Sequence, residues 1–346
     1  MRSCPPSLPL MGFKVKSPWS LLLALLVAVP FLVVLSMKPT GLLGVGPEPY
    51  HWPADVKCPG DVPDGKNHSP TGRIYFVETS ERMSPNAQFM CAVESAVRTH
   101  PDTQVTILMR GLYQQHLPRP PNLAFRLFRC FPNVDVAPLD FERLFADTPL
   151  SSWYSAVEGH KEATDLPILS DASRLAILWK YGGVYLDTDF VVLKRLTNLA
   201  NSMGTQSTYT LNGAFLSFAR GHKFIELCMK DFTDSYNFWL YGHQGPQLLT
   251  RVFKRWCSIR RLRDRRSCRG VSVLPQEAFY PIEWQNWRKY FELISPSDLK
   301  GFLRNTYAVH VWNKKSKDSR PEPGTFLDQL QSQCCPTAYG LMKMSL

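Results

Sequence analysis

The chain has 346 residues, 44% of them hydrophobic and 20% charged, enough for one large or two modest cores, and nothing repeats internally. A formal net charge of +11 is by itself a nucleic-acid footprint. An apolar run near the N-terminus sets the basic surface behind a membrane, where that partner is absent.

That run, residues 19–37, is interrupted only by Ser20, Pro30 and Ser36 and is long enough to cross a bilayer core of about 30 Å. Arg2, Lys14 and Lys16 precede it and Lys38 follows, so positive charge predicts a cytosolic tail over residues 1–18 and a lumenal remainder. No small-X-small site follows Ser36, which favours an uncleaved type II signal anchor over a signal peptide. Residues 38–70, rich in proline and glycine, read as a stem, and Asn67-His68-Ser69 is a glycosylation sequon followed at once by Pro70. Eight cysteines lie beyond the run, an even set suited to disulfides in an oxidising lumen. Cys257 and Cys268 are the preferred pair; adjacent Cys334 and Cys335 reach different partners, or one stays free. No two-residue cysteine spacing supports zinc.

From residue 71 to the end the chain reads as one α/β unit. Residues 74–77 form a buried first strand, a helix starts after Ser84-Pro85 with Phe89, Val93, Ala96 and Val97 on one face, and residues 105–109 form a second strand. This β-α-β alternation predicts an α/β fold with a mixed but mostly parallel, Rossmann-like sheet flanked by helices, and a further strand at residues 134–137. Thr79 and Ser80 stand where such sheets receive the base of a nucleotide; alternatively they cap the next helix. Residues 141–156 have no clear period, and Trp153 and Tyr154 read as core first and acceptor cleft second.

Residues 170–190, SDASRLAILWKYGGVYLDTDF, carry the chemistry. Ser170 or Asp171 caps a helix holding Leu175, Leu178 and Trp179; Gly182-Gly183 stop it; a strand over residues 184–186 runs into Asp187-Thr188-Asp189. In an extended segment residues i and i+2 share a face, so the two carboxylates converge on one hard cation, Mg2+ or Mn2+, beyond the end of the strand. A bare Asp-X-Asp is usually a turn; the strand and helix leading into this one lend it weight.

The strand resumes at Phe190, and residues 205–220 read as two strands about an Asn212-Gly213 turn. There Asn212 meets sugar hydroxyls and Gly213 admits a ligand to the backbone, or the pair is a plain hairpin turn. Helices follow at residues 222–236 and 247–256, separated by a tight GHQGP loop that carries Gln244 over a cleft. Residues 251–269 hold nine basic residues and one acid: a solvated helix and loop first, an attraction for anionic lipid or sialylated surfaces second. The late aromatics Phe279, Tyr280, Trp284, Trp287, Tyr290 and Phe291 read mostly as core. Residues 307–312 alternate as a strand that puts His310 and Trp312 on one side, and an imidazole suits a cation already held by two aspartates.

Asp-X-X-Arg, a helix, Gly-Gly-X-Tyr and Asp-X-Asp together resemble the DXD glycosyltransferases of the α1,4-glycosyltransferase family. NAQFMCAVESAVRTHP, LNGAF, GHQGPQLLTRVFKRWC and YAVHVWNKKS resemble its lactosylceramide-galactosylating branch, and these segments span nearly everything from Ile74 onward. The resemblance implies a GT-A fold, a UDP-galactose donor, Mn2+ or another divalent cation, and α1,4 transfer with retention onto lactosylceramide at the Golgi membrane, alone or in homo- or hetero-oligomers with other Golgi glycosyltransferases. It gives Asp187, Asp189 and His310 the metal, and Asp171, Arg174, Tyr185 and Trp312 the donor sugar and diphosphate. Gln244, with Asp231 behind it, is a candidate nucleophile, against same-face attack needing none. The competing readings are an α1,4-N-acetylglucosaminyltransferase of O-glycans and an anchored lectin without turnover.

Overall fold

The structure, a computed structural model, describes residues 56, 58–60, 72–112, 122–158, 166–264, 266–317 and 319–344. The expected tail, anchor and Asn67 lie outside these residues, as does most of the expected stem; among the described residues no helix is long and apolar enough to cross a membrane.

Ten strands are described: β1 (Arg73–Glu78), β2 (Gln104–Met109), β3 (Val134–Pro138), β4 (Gly183–Leu186), β5 (Phe190–Val192), β6 (Ser202–Ser207), β7 (Thr210–Phe218), β8 (Ser267–Cys268), β9 (Val271–Leu274) and β10 (Ala308–His310). The α-helices are α1 (Ala87–Thr99), α2 (Leu123–Phe128), α3 (Phe141–Phe145), α4 (Ser151–Val157), α5 (Leu166–Tyr181), α6 (Lys223–Asp234), α7 (Pro246–Cys257), α8 (Pro296–Phe302), α9 (Asn313–Ser316), α10 (Phe326–Cys334) and α11 (Pro336–Met344). An eight-stranded sheet runs β3-β2-β1-β4-β7-β6-β9-β8, and β10 with β5 forms a separate antiparallel pair. Strands β3, β2, β1 and β4 are parallel, whereas β7 runs antiparallel to both β4 and β6, so the sheet is mixed.

Side-chain alternation in β1 explains the layering. Ile74 and Phe76 enter one core with α1, α2 and the C-terminal helices; Tyr75 and Val77 enter a second with α5, α6 and α7. Each large apolar side chain so buried contributes about 1.5–3 kcal/mol. The stretch without a clear period resolves into α3 and α4, whose Phe141, Phe145 and Trp153 pack into the second core. Among the late aromatics Phe279, Tyr280 and Tyr290 are fully buried, while Trp284 is exposed.

Several local expectations are corrected. Helix α1 is capped by Asn86, which accepts from Phe89 N, so neither Thr79 nor Ser80 caps it. Ser170 and Asp171 lie inside α5 rather than ahead of it, since the helix begins at Leu166. Gly182 and Gly183 do end α5, with φ of +69° and +107°, a region open to glycine and strained for other residues. Asn212 and Gly213 are not a turn but the middle of β7; the hairpin turns between Ser207 and Thr210. The expected strand over residues 307–312 is shorter, because Trp312 adopts a left-handed φ of 55° that opens α9. Among the described residues the disulfides are Cys58–Cys130, Cys91–Cys335 and Cys257–Cys268, while Cys228 and Cys334 are free. The even set is therefore not fully paired, the preferred pair forms, and Cys58 fastens the expected stem segment to the loop after α2.

Candidate active site

Strands β1 and β4 are parallel neighbours, so Thr79 and Asp187, each just past a strand, emerge at the same edge of the sheet. Asp187 N donates to Ala214 O of β7 (2.9 Å), which fixes the start of the acidic turn. Asp189 is followed directly by β5, and the β5–β10 register pairs Phe190 with His310. Val311 N donates to Asp189 O (3.0 Å). Pairing between segments over a hundred residues apart thus brings the late histidine against the acidic turn.

The three side chains divide their atoms neatly. Asp187 Oδ1 accepts from Tyr185 Oη (2.8 Å) and faces Arg174 Nη2 (3.2 Å), while Oδ2 is 3.8 Å from His310 Nε2. Asp189 Oδ2 accepts from Asn313 N (2.8 Å), while Oδ1 is 3.1 Å from His310 Nε2. Trp312 N donates to His310 Nδ1 (3.3 Å). One oxygen of each carboxylate is therefore held by the protein while the other faces His310 Nε2, and the three residues each offer a ligand atom within 4.8 Å of the other two. Two carboxylate oxygens and an imidazole nitrogen this close fit a hard divalent cation in the tautomer that leaves Nε2 unprotonated, which gives up the Trp312 N contact at Nδ1.

Arg174 stands behind this set, nearly buried. Its Nη1 pairs with Asp171 Oδ1 (3.0 Å), its Nη2 donates to Ser170 Oγ (2.9 Å), and its guanidinium lies 4.9 Å from the centre of the Tyr185 ring. Glycine is required on two sides. A Cβ on Gly213 would stand 2.8 Å from Arg174 Nη1, and one on Gly245 would stand 2.5 Å from Asp171 Oδ2. Burial pushes the Asp171 carboxyl up to about 6 despite Arg174. For Asp187 burial acts the same way, but Arg174 and His310 outweigh it and hold that carboxyl at about 2. Burial also lifts Asp189 above the usual carboxylate value. His310 lies above the ordinary histidine value because Asp189 and Asp187 overcome the opposing effect of burial.

The structure thus brings together Asp171, Arg174, Tyr185, Asp187, Asp189, Gly213, His310 and Trp312, whose ring centroid is 4.3 Å from that of His310. Thr79 is buried and donates to Leu166 O (3.2 Å), and Ser80 Oγ accepts from Arg82 N (3.3 Å). Asn212 uses its amide on Gln206 and on Ala214 N, each 2.8 Å away. Gln244 turns its Nε2 to Phe232 O (2.7 Å), leaving Oε1 buried without a protein partner. Asp231 is not a free nucleophile: Arg251 Nε (2.5 Å) and Arg255 clasp it from α7, which also takes two cations of the basic run into internal ion pairs.

Sequence reading missed three contributors. Ser170 reads as a cap, but its place four residues before Arg174 on a helix is the signal for a contact. Tyr280 is core, as expected, and its ring also backs the site, 5.6 Å from His310 and 5.5 Å from Trp312. The Asn313 backbone amide carries no side-chain signature at all.

Residues 86–210 match the family described as glycosyltransferase sugar-binding region containing DXD motif, and residues 217–342 match the alpha 1,4-glycosyltransferase conserved region. Human lactosylceramide 4-alpha-galactosyltransferase is 58% identical over 301 residues, 86% of this chain and 85% of that protein. The mouse protein of that name is 56% identical over 299 residues, 86% of this chain and 83% of its own. Human alpha-1,4-N-acetylglucosaminyltransferase is 36% identical over 306 residues, 84% of this chain and 88% of its own. Among solved structures, galactosyltransferase LgtC in complex with donor and acceptor sugar analogs is 15% identical, with a TM-score of 0.40, over 79% of this chain and 95% of that one.

Proposed function

The chain belongs to the DXD-containing α1,4-glycosyltransferase family, and from that premise we propose that it is a GT-A enzyme moving galactose from UDP-galactose, with retention, in α1,4 linkage onto the terminal galactose of lactosylceramide. The observation carrying this reading is the meeting of Asp187 Oδ2, Asp189 Oδ1 and His310 Nε2 beside a buried arginine. Mn2+ held there would spread the negative charge that gathers on the departing diphosphate.

The remaining work falls to the chain's own groups. Arg174, fixed by Asp171, Ser170 and Asp187, presents a permanent cation whose position needs no rearrangement as the glycosidic bond breaks. Tyr185 Oη donates to Asp187 and keeps that carboxylate aimed. Trp312, in its left-handed conformation, holds an indole over His310 and covers the diphosphate; its Nε1 is spent on Ile282 O (2.8 Å). Thr79 and Ser80 flank the uridine, Asn212 and Gly213 the galactose, and Gln244 lines its far side. Asp231 is clasped and Gln244 offers only an amide oxygen, so we take retention to proceed by same-face attack: the bond from anomeric carbon to UDP breaks, the acceptor hydroxyl oxygen bonds the same carbon, and its proton passes to the diphosphate. A galactosylated side chain trapped and found by mass spectrometry would overturn that step.

A Golgi type II anchor at residues 19–37 belongs to the same proposal, since it sets the catalytic unit beside a membrane-borne acceptor. The deciding experiment offers the full chain UDP-galactose and UDP-N-acetylglucosamine, Mn2+, and lactosyl and O-glycan acceptors, and determines the linkage formed. An α1,4-galactosyl product on lactose termini is expected; transfer of N-acetylglucosamine instead would reverse the choice of donor, and donor binding without turnover would favour the lectin.

A further inference from the structure

Residues 238–241, between α6 and α7, expose Phe, Trp, Leu and Tyr in succession, with Trp239 82%, Leu240 53% and Tyr241 77% accessible. Such a tip normally collapses or is covered. This one is held open. Trp239 N donates to Asn237 Oδ1 (3.1 Å), His243 N donates to Leu240 O (3.0 Å), and Gln247 Nε2 donates to Tyr241 O (3.3 Å). Beneath it an aromatic ladder descends from Trp239 through Phe238 and Tyr236 to buried Trp153, with centroids 4.4, 6.3 and 5.6 Å apart.

The tip is tied to the active site from both sides. Lys314 Nζ lies 4.6 Å from the centre of the Tyr241 ring, and the preceding residue is Asn313, whose amide binds Asp189. Gly245, four residues on from Tyr241, abuts Asp171. Nearby in the chain Lys315 lies 5.8 Å from the centre of the half-exposed Trp284 ring. Large amphipathic aromatics beside a leucine and flanked by lysines form the composition of a membrane interface, where rings settle at headgroup level and lysines meet anionic headgroups.

We propose that residues 238–241, with Lys314 and Lys315, form a platform that enters the headgroup–acyl boundary of the bilayer carrying the acceptor, seating the catalytic cleft at the height of the sugar. This rests on the reading that the acceptor is a glycolipid: in lactosylceramide a single glucose separates the reacting galactose from ceramide, so the cleft must come down to the surface. A sugar-stacking subsite is the lesser account, because it gives Leu240 nothing to do.

The test compares full-length wild type with Trp239→Ser/Leu240→Ser, each reconstituted in vesicles, on lactosylceramide in the bilayer and on a water-soluble lactoside. The platform predicts a fall of about tenfold in kcat/KM on the lipid, chiefly through KM, and a change under about twofold on the lactoside. Equal losses on both acceptors, or no loss on either, would overturn it. Trp239 fluorescence supplies an independent readout, taken as the difference between wild type and Trp239→Phe in vesicles of brominated phosphatidylcholine. Quenching of that difference is expected, and none would sink the platform whatever the turnover. If wild type galactosylates neither lactosyl acceptor, the acceptor reading fails, while the quenching still decides whether the tip enters a bilayer.

Discussion

Arg174 gains its role from a lack of bulk opposite it. With no side chain on Gly213, the guanidinium reaches Asp171 and Asp187 at once; Gly213→Ala would put a methyl 2.8 Å from Nη1 and force the fork aside. We expect Gly213→Ala to lower kcat at least about tenfold and stability by about 1–3 kcal/mol, since the methyl also crowds buried Leu249, and Arg174→Lys to lower kcat on the order of a hundredfold, because a point charge does not replace a fork. Steady-state kinetics beside thermal melts check both. A second residue sets acid stability. His100 is fully buried, accepts from Leu196 N at Nε2 (2.8 Å), and burial holds its pKa down to about 4. Unfolded, it titrates near 6.5, so between these values the unfolded chain binds the proton and the folded chain does not. Its stabilisation is therefore complete above about 6.5 and is lost as pH falls towards 4, amounting to about 3 kcal/mol. Urea unfolding across that range checks it by difference: Asp171, raised to about 6, works in the opposite direction, so wild type should lose about 3 kcal/mol more than His100→Gln between pH 6.5 and 4.

Single elements differ in how far their neighbours decided them. The strand entering Asp187 and the strands β1 and β2 were legible, since apolar runs bounded by turn residues mean the same thing in most surroundings. Asn212-Gly213 was misread because Asn-Gly is a hairpin signal only where the chain is free to turn; here β4 and β6 pair on both sides and keep it extended, and Arg174 uses the missing side chain. The start of α5 was misplaced because Ser170 and Asp171 look like caps until their contacts with Arg174 are known. Disulfides show the same limit. The short Cys257–Cys268 link, tying α7 to β8, was legible from spacing, whereas Cys91–Cys335, joining α1 to the residue before α11 across 244 positions, was not. Their removal should differ accordingly. By loop entropy, Cys91→Ser/Cys335→Ser should cost about 3 kcal/mol more than Cys257→Ser/Cys268→Ser, whose loop spans 11 positions, as denaturant unfolding of the two variants would read.

Across the whole molecule the candidate site is a joint between distant pieces. The helix and strand over residues 166–189 supply Asp171, Arg174, Tyr185, Asp187 and Asp189; residues 308–313 supply His310, Trp312 and the Asn313 amide, held in place through the β5–β10 ladder. Sequence alone named most of these side chains, but the parcelling of one oxygen per carboxylate to the protein is a property of the assembled edge. An unfolded chain would scatter the ligand atoms, so a cation and the nucleotide that share the joint bind only the folded form and must stabilise it. At a hundredfold excess over Kd the gain is about 2.7 kcal/mol. Mn2+ with UDP should therefore raise the unfolding midpoint by several degrees, EDTA should reverse the rise, and His310→Ala and Asp189→Asn should each abolish most of it while the ligand-free protein still melts cooperatively. A full shift in His310→Ala would mean that the late segment is not part of the cation site, leaving the two aspartates to hold it alone.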